Sequence, residues 1–233
     1  MAIVELVDVL KDYRGLRPLR VASLAVEEGQ RVAIAGLDRN AAEVFVNLVN
    51  GAVLPDRGDV KVQGRSTRDI ANDTEWLQAL DWFGVVTERA VLLEGSTFAQ
   101  NLALPFSLEI DPLPPDVRMK VEALAREVGL PADRLDRPVG DAPPAVRLRA
   151  HLARAVALDP RVLLLEHPTA SLPPGESRPF AEVVRDVAVA RRLTVIALTE
   201  DTTFADIVAD RALKLHGGTG ALTSTRGWRR WLG

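Results

Sequence analysis

The sequence contains no cysteine and has only three histidines, two methionines and one tyrosine. Without cysteine there is no disulfide, thiol nucleophile or thiolate metal site, and three scattered histidines are too few to predict a zinc centre. No apolar run reaches the roughly 18 residues that a membrane-spanning helix needs, and the N-terminus lacks the basic flank and apolar stretch of a signal peptide. The sequence therefore predicts a protein that is neither secreted by such a signal nor membrane-spanning.

Neither sign of charge dominates, because 29 lysines and arginines stand against 32 aspartates and glutamates, for a net charge of −3. No global basic field exists to hold nucleic acid, and we predict no nucleic-acid partner. The basic and aromatic run RGWRRW at residues 226–231 is a local exception. It suits contact with lipid headgroups or an adjoining subunit, and it equally suits a short tail helix packed on its own domain.

Hydrophobic residues make up 47% of the 233 residues, enough to bury a substantial core. Three β-rich segments open the chain, and two continuous apolar strands near its end each follow a helix. The predicted strands are residues 3–9, 19–26, 30–35, 59–63, 161–165 and 193–199, and the predicted helices are residues 41–49, 145–158 and 180–191. Buried strands alternating with helices predict an α/β fold with a parallel sheet.

Three stretches of the chain resemble, in order, the ATPases of ABC transporters. They are VAIAGLDRNAAEVFVNLVNGAVLPDRGDVKVQG at residues 32–64, VRLRAHLARAVALDP at 146–160 and RVLLLEHPTASL at 161–172. The resemblance covers essentially the whole chain. It implies a P-loop NTPase-like (RecA-like) parallel sheet core with N-terminal antiparallel β segments and a helical subdomain. The implied core comprises residues 1–87 and 154–233, and the helical insertion residues 88–153.

The phosphate-loop position of that family departs from its motif. G-x-x-x-x-G-K-[ST] is replaced by Gly36, Leu37, Asp38, Arg39, Asn40, Ala41, Ala42 and Glu43. Only the first glycine remains, Ala42 stands at the lysine that meets the β/γ-phosphates, and Glu43 stands at the hydroxyl that binds Mg²⁺. We predict a strand-to-helix turn without ligand here.

The other motif positions also differ from the family. The Walker B aspartate corresponds to Glu166, the catalytic glutamate to His167, the switch histidine to Glu200 and the Q-loop glutamine to Thr87. Tyr13 falls where the family stacks an aromatic ring on adenine. The signature motif corresponds to Ala142, Pro143, Pro144, Ala145 and Val146, and the D-loop to Ser171, Leu172 and Pro173.

The exchange of residue types between His167 and Glu200 suggests that these side chains pair across an empty site, with Arg39 neutralising Glu43 or Glu166. His151 lies on the apolar face of its predicted helix, where a packed residue is expected rather than a ligand.

Three functions remain open at this point. The first is a catalytically inactive ABC-ATPase-like subunit, structural or regulatory, which takes no cofactor and no metal and is cytoplasmic and peripheral on the membrane. It would dock on a membrane permease through a groove near residues 87–106 and pair with a second ATPase-type subunit. Asn101, Leu102 and Pro105 match the family there, although they are equally explained by folding. The second is a divergent but active ATPase that uses Mg-ATP, and the third is a soluble interaction module unrelated to transport.

Overall fold

The computed structural model describes residues 2–87 and 89–225. The RGWRRW run at residues 226–231, for which a lipid or subunit contact was one hypothesis, lies outside the described residues. The described strands are β1 (Ala2–Lys11), β2 (Leu19–Glu27), β3 (Arg31–Ala35), β4 (Arg57–Val62), β5 (Arg65–Ser66), β6 (Phe83–Val86), β7 (Val162–Glu166), β8 (Thr194–Leu198), β9 (Arg211–His216) and β10 (Ala221–Ser224). The α-helices are α1 (Arg39–Val49), α2 (Asp73–Leu80), α3 (Phe98–Ala103), α4 (Pro115–Glu127), α5 (Pro144–Val156), α6 (Ser177–Arg191) and α7 (Thr202–Val208).

A six-stranded sheet forms the centre of the molecule, in the order β10-β9-β3-β8-β7-β6. Strand β3 pairs in parallel with β8 and β9, and β7 pairs in parallel with β6 and β8. Only β10, which pairs with β9, is antiparallel among the described strands of this sheet. The carboxyl ends of β3, β7 and β8 therefore meet at one edge of the sheet, where ligands of open α/β folds bind.

A second, antiparallel sheet has the order β2-β1-β4-β5 and is built from the N-terminal segments. Strand β2 largely alternates buried and exposed positions, as expected for a sheet with one face on the core. The predicted α/β fold, with a parallel sheet and N-terminal antiparallel strands, is thus confirmed.

Hydrophobic side chains fill both faces of the central sheet. In β8, Val195 and Ala197 belong to the cluster formed with α3 to α7, while Ile196 and Leu198 belong to the cluster formed with α1 and the second sheet. Successive side chains of a strand point to opposite faces of the sheet, and both faces are covered here. Every residue of β7 and β8 is therefore buried. This explains the continuous apolar runs in the sequence.

Helices α3, α4 and the start of α5 lie within the residues predicted to form the helical insertion. Helix α5 begins with Pro144 in its first turn, where the missing N–H costs nothing, and it ends at Val156. Among the residues that the structure describes, no helix combines the length and apolar character needed to cross a membrane.

Candidate functional site

The turn between β3 and α1 carries the residues predicted to correspond to a phosphate loop. Helix α1 begins at Arg39, two residues earlier than predicted, because Asp38 is its N-cap. The Asp38 side chain accepts a hydrogen bond from the Ala41 N–H at 2.8 Å, and the Asp38 carbonyl accepts one from the Ala42 N–H at 2.8 Å. The loop is thereby reduced to the tight turn Gly36-Leu37-Asp38, and these two amides are occupied from within the chain.

Glu200 provides the other anion at this turn. Its Oε1 accepts a hydrogen bond from the Gly36 N–H at 2.6 Å. Glu200 follows β8, the strand that pairs with β3, so the sheet register brings the two residues together. A carboxylate of the chain therefore occupies an N–H group that would otherwise point toward a phosphate.

A single arginine links two carboxylates of the site. Arg89 donates through Nη1 to Glu43 and through Nη2 to Oε2 of Glu166, the latter at 2.6 Å. Its backbone N–H and Nε also lie 3.3 and 3.4 Å from the Thr87 hydroxyl. Only 7% of Glu166 is exposed, and a buried carboxylate requires such a partner. Arg89, which the sequence hypothesis did not name, therefore compensates the charge of both Glu43 and Glu166, the two carboxylates for which Arg39 was proposed.

The hypothesis that His167 pairs with Glu200 is wrong. Glu200 is bonded to Gly36, whereas His167 Nε2 is buried with no hydrogen-bond partner in the part of the chain that the structure describes. The His167 backbone has φ +44°, and its N–H donates to the Leu198 carbonyl at 2.8 Å. This backbone conformation turns the chain sharply after β7, where His167 as a whole is half-buried.

Asp201 joins the segment after β8 to the segment after β7. It caps α7 by accepting from the Phe204 N–H at 3.0 Å, and it also accepts from Thr169 Oγ1 at 2.9 Å and from the Ser177 hydroxyl. Burial raises the pKa of Asp201, but these hydrogen bonds outweigh it and hold the pKa below its usual value. The carboxylate therefore fixes the residues just before the predicted D-loop.

We expect Asp201→Ala to lower the free energy of unfolding by about 1–2 kcal/mol, because it removes a helix cap and leaves two hydroxyls without their acceptor. Urea denaturation at pH 7 measures this. Since the pKa of Asp201 is depressed in the folded state, its contribution is present above its unfolded pKa, near 4, and is lost as pH falls through its folded pKa. Asp201→Asn still caps the helix, so its free energy of unfolding should fall by less than that of Asp201→Ala. Equal stability of wild type and Asp201→Ala at pH 7 would contradict the prediction.

A cavity of about 490 Å³ lies between this edge of the sheet and α5. It brings together residues that are far apart in the sequence: Arg39, Val86, Thr87, Ala142, Pro144, Arg147, Leu148, His151, Glu166, Pro168 and Ser171. The positions predicted for the Q-loop, Walker B, signature and D-loop motifs are thus all represented around one cavity. Pro143 is exposed, whereas Ala145 and Val146 are half-buried in the first turn of α5.

His151 lines the same cavity from α5. Burial, together with the nearby charges of Arg154 and Arg147, lowers its pKa to about 4. Its Nδ1 is buried and has no hydrogen-bond acceptor or donor among residues 2–87 and 89–225. The imidazole is therefore neutral at pH 7, which agrees with the predicted packed residue.

Tyr13 lies near the β3–α1 turn. Burial, and then the negative charge of Asp38, raise the pKa of its phenol. The ring packs over Gly15, where a Cβ atom would lie 2.5 Å from the ring. Of the remaining turn residues, Leu37 is buried in the core and Asn40 is exposed.

Sequence reasoning missed Arg89 and Asp201. Arg89 carried no signal, because its partners are 46 and 77 positions away in the sequence. Asp201 did carry one: an aspartate directly before a helical segment is a typical N-cap.

A parallel sheet in which β3 leads through a tight turn into a helix, and in which β7, two strands away, ends in a buried acid, is typical of the class of P-loop NTPase folds. The family model described as ABC transporter matches residues 19–170, and the chain therefore belongs to the ABC transporter family. This confirms the resemblance found in the sequence, and the chain is of the ATP-binding subunit type.

Similar proteins support the assignment. The methionine import ATP-binding protein MetN of Brucella abortus (strain 2308) is 29% identical over 217 residues, which cover 93% of this chain and 58% of the relative. The ABC transporter ATP-binding protein YtrE of Bacillus subtilis (strain 168) is 27% identical, covering 86% of this chain and 85% of the relative. This chain thus spans less than two thirds of the length of the methionine import relatives.

Solved structures share the fold. The dimeric ATP-binding cassette MJ0796, in a post-hydrolysis state bound to ADP and Pi, has a TM-score of 0.78 at 22% identity, covering 97% of this chain and 100% of the other. The structure of cbiO1 from Clostridium perfringens, part of the ABC transporter complex cbiONQ, has a TM-score of 0.78 at 18% identity, covering 94% of this chain and 86% of the other.

The prediction that the chain takes no cofactor is wrong. The family model that matches this chain is that of the ABC transporters, and the similar proteins of this family are named ATP-binding proteins. These comparisons point to a nucleotide. In the described conformation the amides of Gly36, Ala41 and Ala42 are occupied by Glu200 and Asp38, so the turn does not fit a polyphosphate unless these groups yield.

Proposed function

We propose that this chain is an ABC transporter ATP-binding subunit in which ATP hydrolysis is absent or very weak, and which acts by docking on a membrane permease and pairing with a second ATPase-type subunit. In this role it is a structural or regulatory component on the cytoplasmic face of the membrane. The observation that carries the proposal is the hydrogen bond from the Gly36 N–H to the Glu200 carboxylate. A phosphate at this N–H has to displace an anion of the chain itself.

The side chains at the catalytic positions support the proposal. Hydrolysis needs a group that orients or deprotonates the attacking water, within about 3 Å of it. Glu166 is held by Arg89, Glu200 by Gly36, and the nitrogen Nε2 of His167 is buried. One carboxylate oxygen of Glu166 and one of Glu200 are thus engaged within the chain, and Nε2 of His167 does not reach solvent.

The turn also provides no side-chain cation from the lysine position. Ala42 is fully buried within α1, and its methyl group packs in the core. In P-loop NTPases the lysine stabilises charge that develops on the transferred phosphoryl group. The absence of that lysine, together with a histidine at the position of the catalytic glutamate, favours slow or absent ATP hydrolysis. It therefore speaks against the alternative of a divergent but active ATPase.

The docking surface is a groove of about 380 Å³ formed by α5, β6 and the segment after α3. Pro105 and Leu158 line it, and 54% of Leu158 is exposed. Asn101 and Leu102 do not: both are buried, and Asn101 Oδ1 accepts from the Leu93 N–H at 2.8 Å. We therefore propose that Pro105 and Leu158 contact the permease, whereas Asn101 and Leu102 serve folding.

We further propose the division into a core of residues 1–87 and 154–233 and a helical insertion of residues 88–153. Helix α5 crosses this boundary and ends at Val156, so one continuous helix links the insertion to the core. The signature position lies at the start of the same helix, with Pro143 and Pro144 exposed. We propose that this exposed end faces the second ATPase-type subunit.

Phosphate release from saturating Mg-ATP tests the proposal, measured on the purified chain and on the complex isolated from membranes. We expect the chain to release no more phosphate than the matched variant Glu166→Gln, which controls for contaminating ATPases. Turnover of about 1 s⁻¹ or faster, within the usual range of enzymes, that is abolished by Glu166→Gln would contradict the proposal and favour the active ATPase.

A further inference from the structure

Arg89 has contacts that the sequence motifs do not account for. Its guanidinium meets Glu43 through Nη1 and Glu166 through Nη2, and its Nε meets the Thr87 hydroxyl. These three partners stand at the end of the phosphate-loop position, at the Walker B position and at the Q-loop position. The Arg89 guanidinium thus contacts side chains from three motif positions at one place in the site.

P-loop NTPases hold their metal ion at the place that the Arg89 guanidinium occupies here. There, Mg²⁺ lies between a hydroxyl of the phosphate loop and the Walker B aspartate, the positions of Glu43 and Glu166 in this chain. A guanidinium is permanently charged, and its planar fork matches two carboxylates. Mg²⁺ needs oxygen ligands in octahedral geometry and would have to displace the fork from both carboxylates.

The surroundings also lack the ligands of an independent metal site. Within residues 2–87 and 89–225, no cluster of three or more histidine, aspartate or glutamate side chains is arranged to hold a metal ion. Glu166 is almost fully buried, so its charge depends on the partner that it has. The positive charge at this position is therefore part of the polypeptide.

We propose that Arg89 replaces the divalent metal of the family, so that this site is complete without Mg²⁺ and takes a nucleotide in a metal-independent manner. The part that concerns the nucleotide rests on the proposed function. The part that concerns the metal does not, because it follows from the three contacts of Arg89.

Thermal unfolding with and without Mg²⁺ tests the metal part, using the full chain at constant ionic strength. For wild type we expect the same Tm in 10 mM Mg²⁺ and in EDTA. For Arg89→Gln, which frees both carboxylates, we expect Mg²⁺ to raise the Tm by about 3–6 °C, as for a ligand present at about ten times its Kd. A wild-type Tm that rises by this amount in Mg²⁺ overturns the proposal.

Two further variants serve as matched controls. Arg89→Lys keeps a cation and should remain insensitive to Mg²⁺, whereas Arg89→Gln/Glu166→Gln lacks the buried charge and should be insensitive too. If Arg89→Gln does not fold in EDTA, its recovery in Mg²⁺ supports the proposal. If Mg²⁺ neither restores the folding of Arg89→Gln nor raises its Tm, while the double variant folds, the proposal is overturned.

Binding of a fluorescent ADP analogue tests the nucleotide part. We expect the wild-type Kd to differ by less than threefold between Mg²⁺ and EDTA, and the Kd of Arg89→Gln to be at least tenfold lower in Mg²⁺ than in EDTA. A wild type that binds only with Mg²⁺ overturns the inference and leaves the proposed function standing. Rapid phosphate release that needs no Mg²⁺ contradicts the proposed function and leaves the inference about Arg89 standing. The two failures are therefore distinguishable.

Discussion

Replacing Gly36 by alanine is expected to lower the free energy of unfolding by about 3–4 kcal/mol. Gly36 has φ +94°, a backbone conformation that costs an L-residue about 1–2 kcal/mol. In addition, a Cβ atom at this position would lie 2.3 Å from the Leu215 carbonyl oxygen, so β3 and β9 would have to separate locally. Urea denaturation at pH 7 measures the change as a lower midpoint at unchanged slope.

Gly29 offers a matched control for this prediction. It also has a positive φ, +75°, but among the described residues no atom lies within 4 Å of the point that a Cβ atom would occupy there. Gly29→Ala should therefore lose only the backbone contribution of about 1–2 kcal/mol. Equal losses for the two variants would show that contact with Leu215 is not the reason for the glycine. The expected difference means that the one glycine kept at the phosphate-loop position is required by the fold itself.

The second large effect is a loss of stability by about 2 kcal/mol between pH 6.5 and pH 4, caused by His151. Burial, together with the charges of Arg154 and Arg147, lowers the pKa of this histidine from 6.5 to about 4. The unfolded chain therefore binds a proton across this range while the folded chain largely does not, so the free energy of unfolding falls as the pH is lowered. The full difference between the two pKa values corresponds to about 3 kcal/mol, and solvent screening of this half-buried ring reduces it to about 2 kcal/mol.

His151→Leu removes this titration, and we expect its stability to fall by about 2 kcal/mol less than that of wild type over the same pH range. Denaturant unfolding at several pH values gives the comparison, and the carboxylates common to both proteins cancel in it. His216→Gln is the control, because His216 is exposed and its side chain contacts Thr223 through Nε2 in the described structure. Parallel pH profiles for wild type and His151→Leu would show that the imidazole is not the source.

Much of the fold follows from the pattern of apolar residues. The sequence predicts buried strands at residues 161–165 and 193–199, and the structure has them as β7 (Val162–Glu166) and β8 (Thr194–Leu198). Strands packed on both faces have no polar positions, which makes their sequence signal strong. The start of α1 is harder to predict, because the cap formed by Asp38 extends the helix over residues that a phosphate loop would leave outside it.

The candidate site is predictable only in part. Thr87, Ala142, Glu166 and Ser171, which the sequence assigns to motif positions of the family, line one cavity, and that assignment stays a prediction. The sequence did not predict that Arg89 contacts both Glu43 and Glu166, nor that the Gly36 N–H bonds to Glu200 in place of His167. Residue types show that charges must be compensated, but they do not show which side chain reaches them.

The sequence by itself determined the family and the parallel sheet, because these depend on local pattern and residue identity. Only the tertiary structure decided that Glu200 meets the Gly36 N–H and that Arg89 lies between Glu43 and Glu166. Such pairs join residues far apart in the chain. Their choice depends on distances of a few ångströms, which the register of the sheet and the packing around it fix.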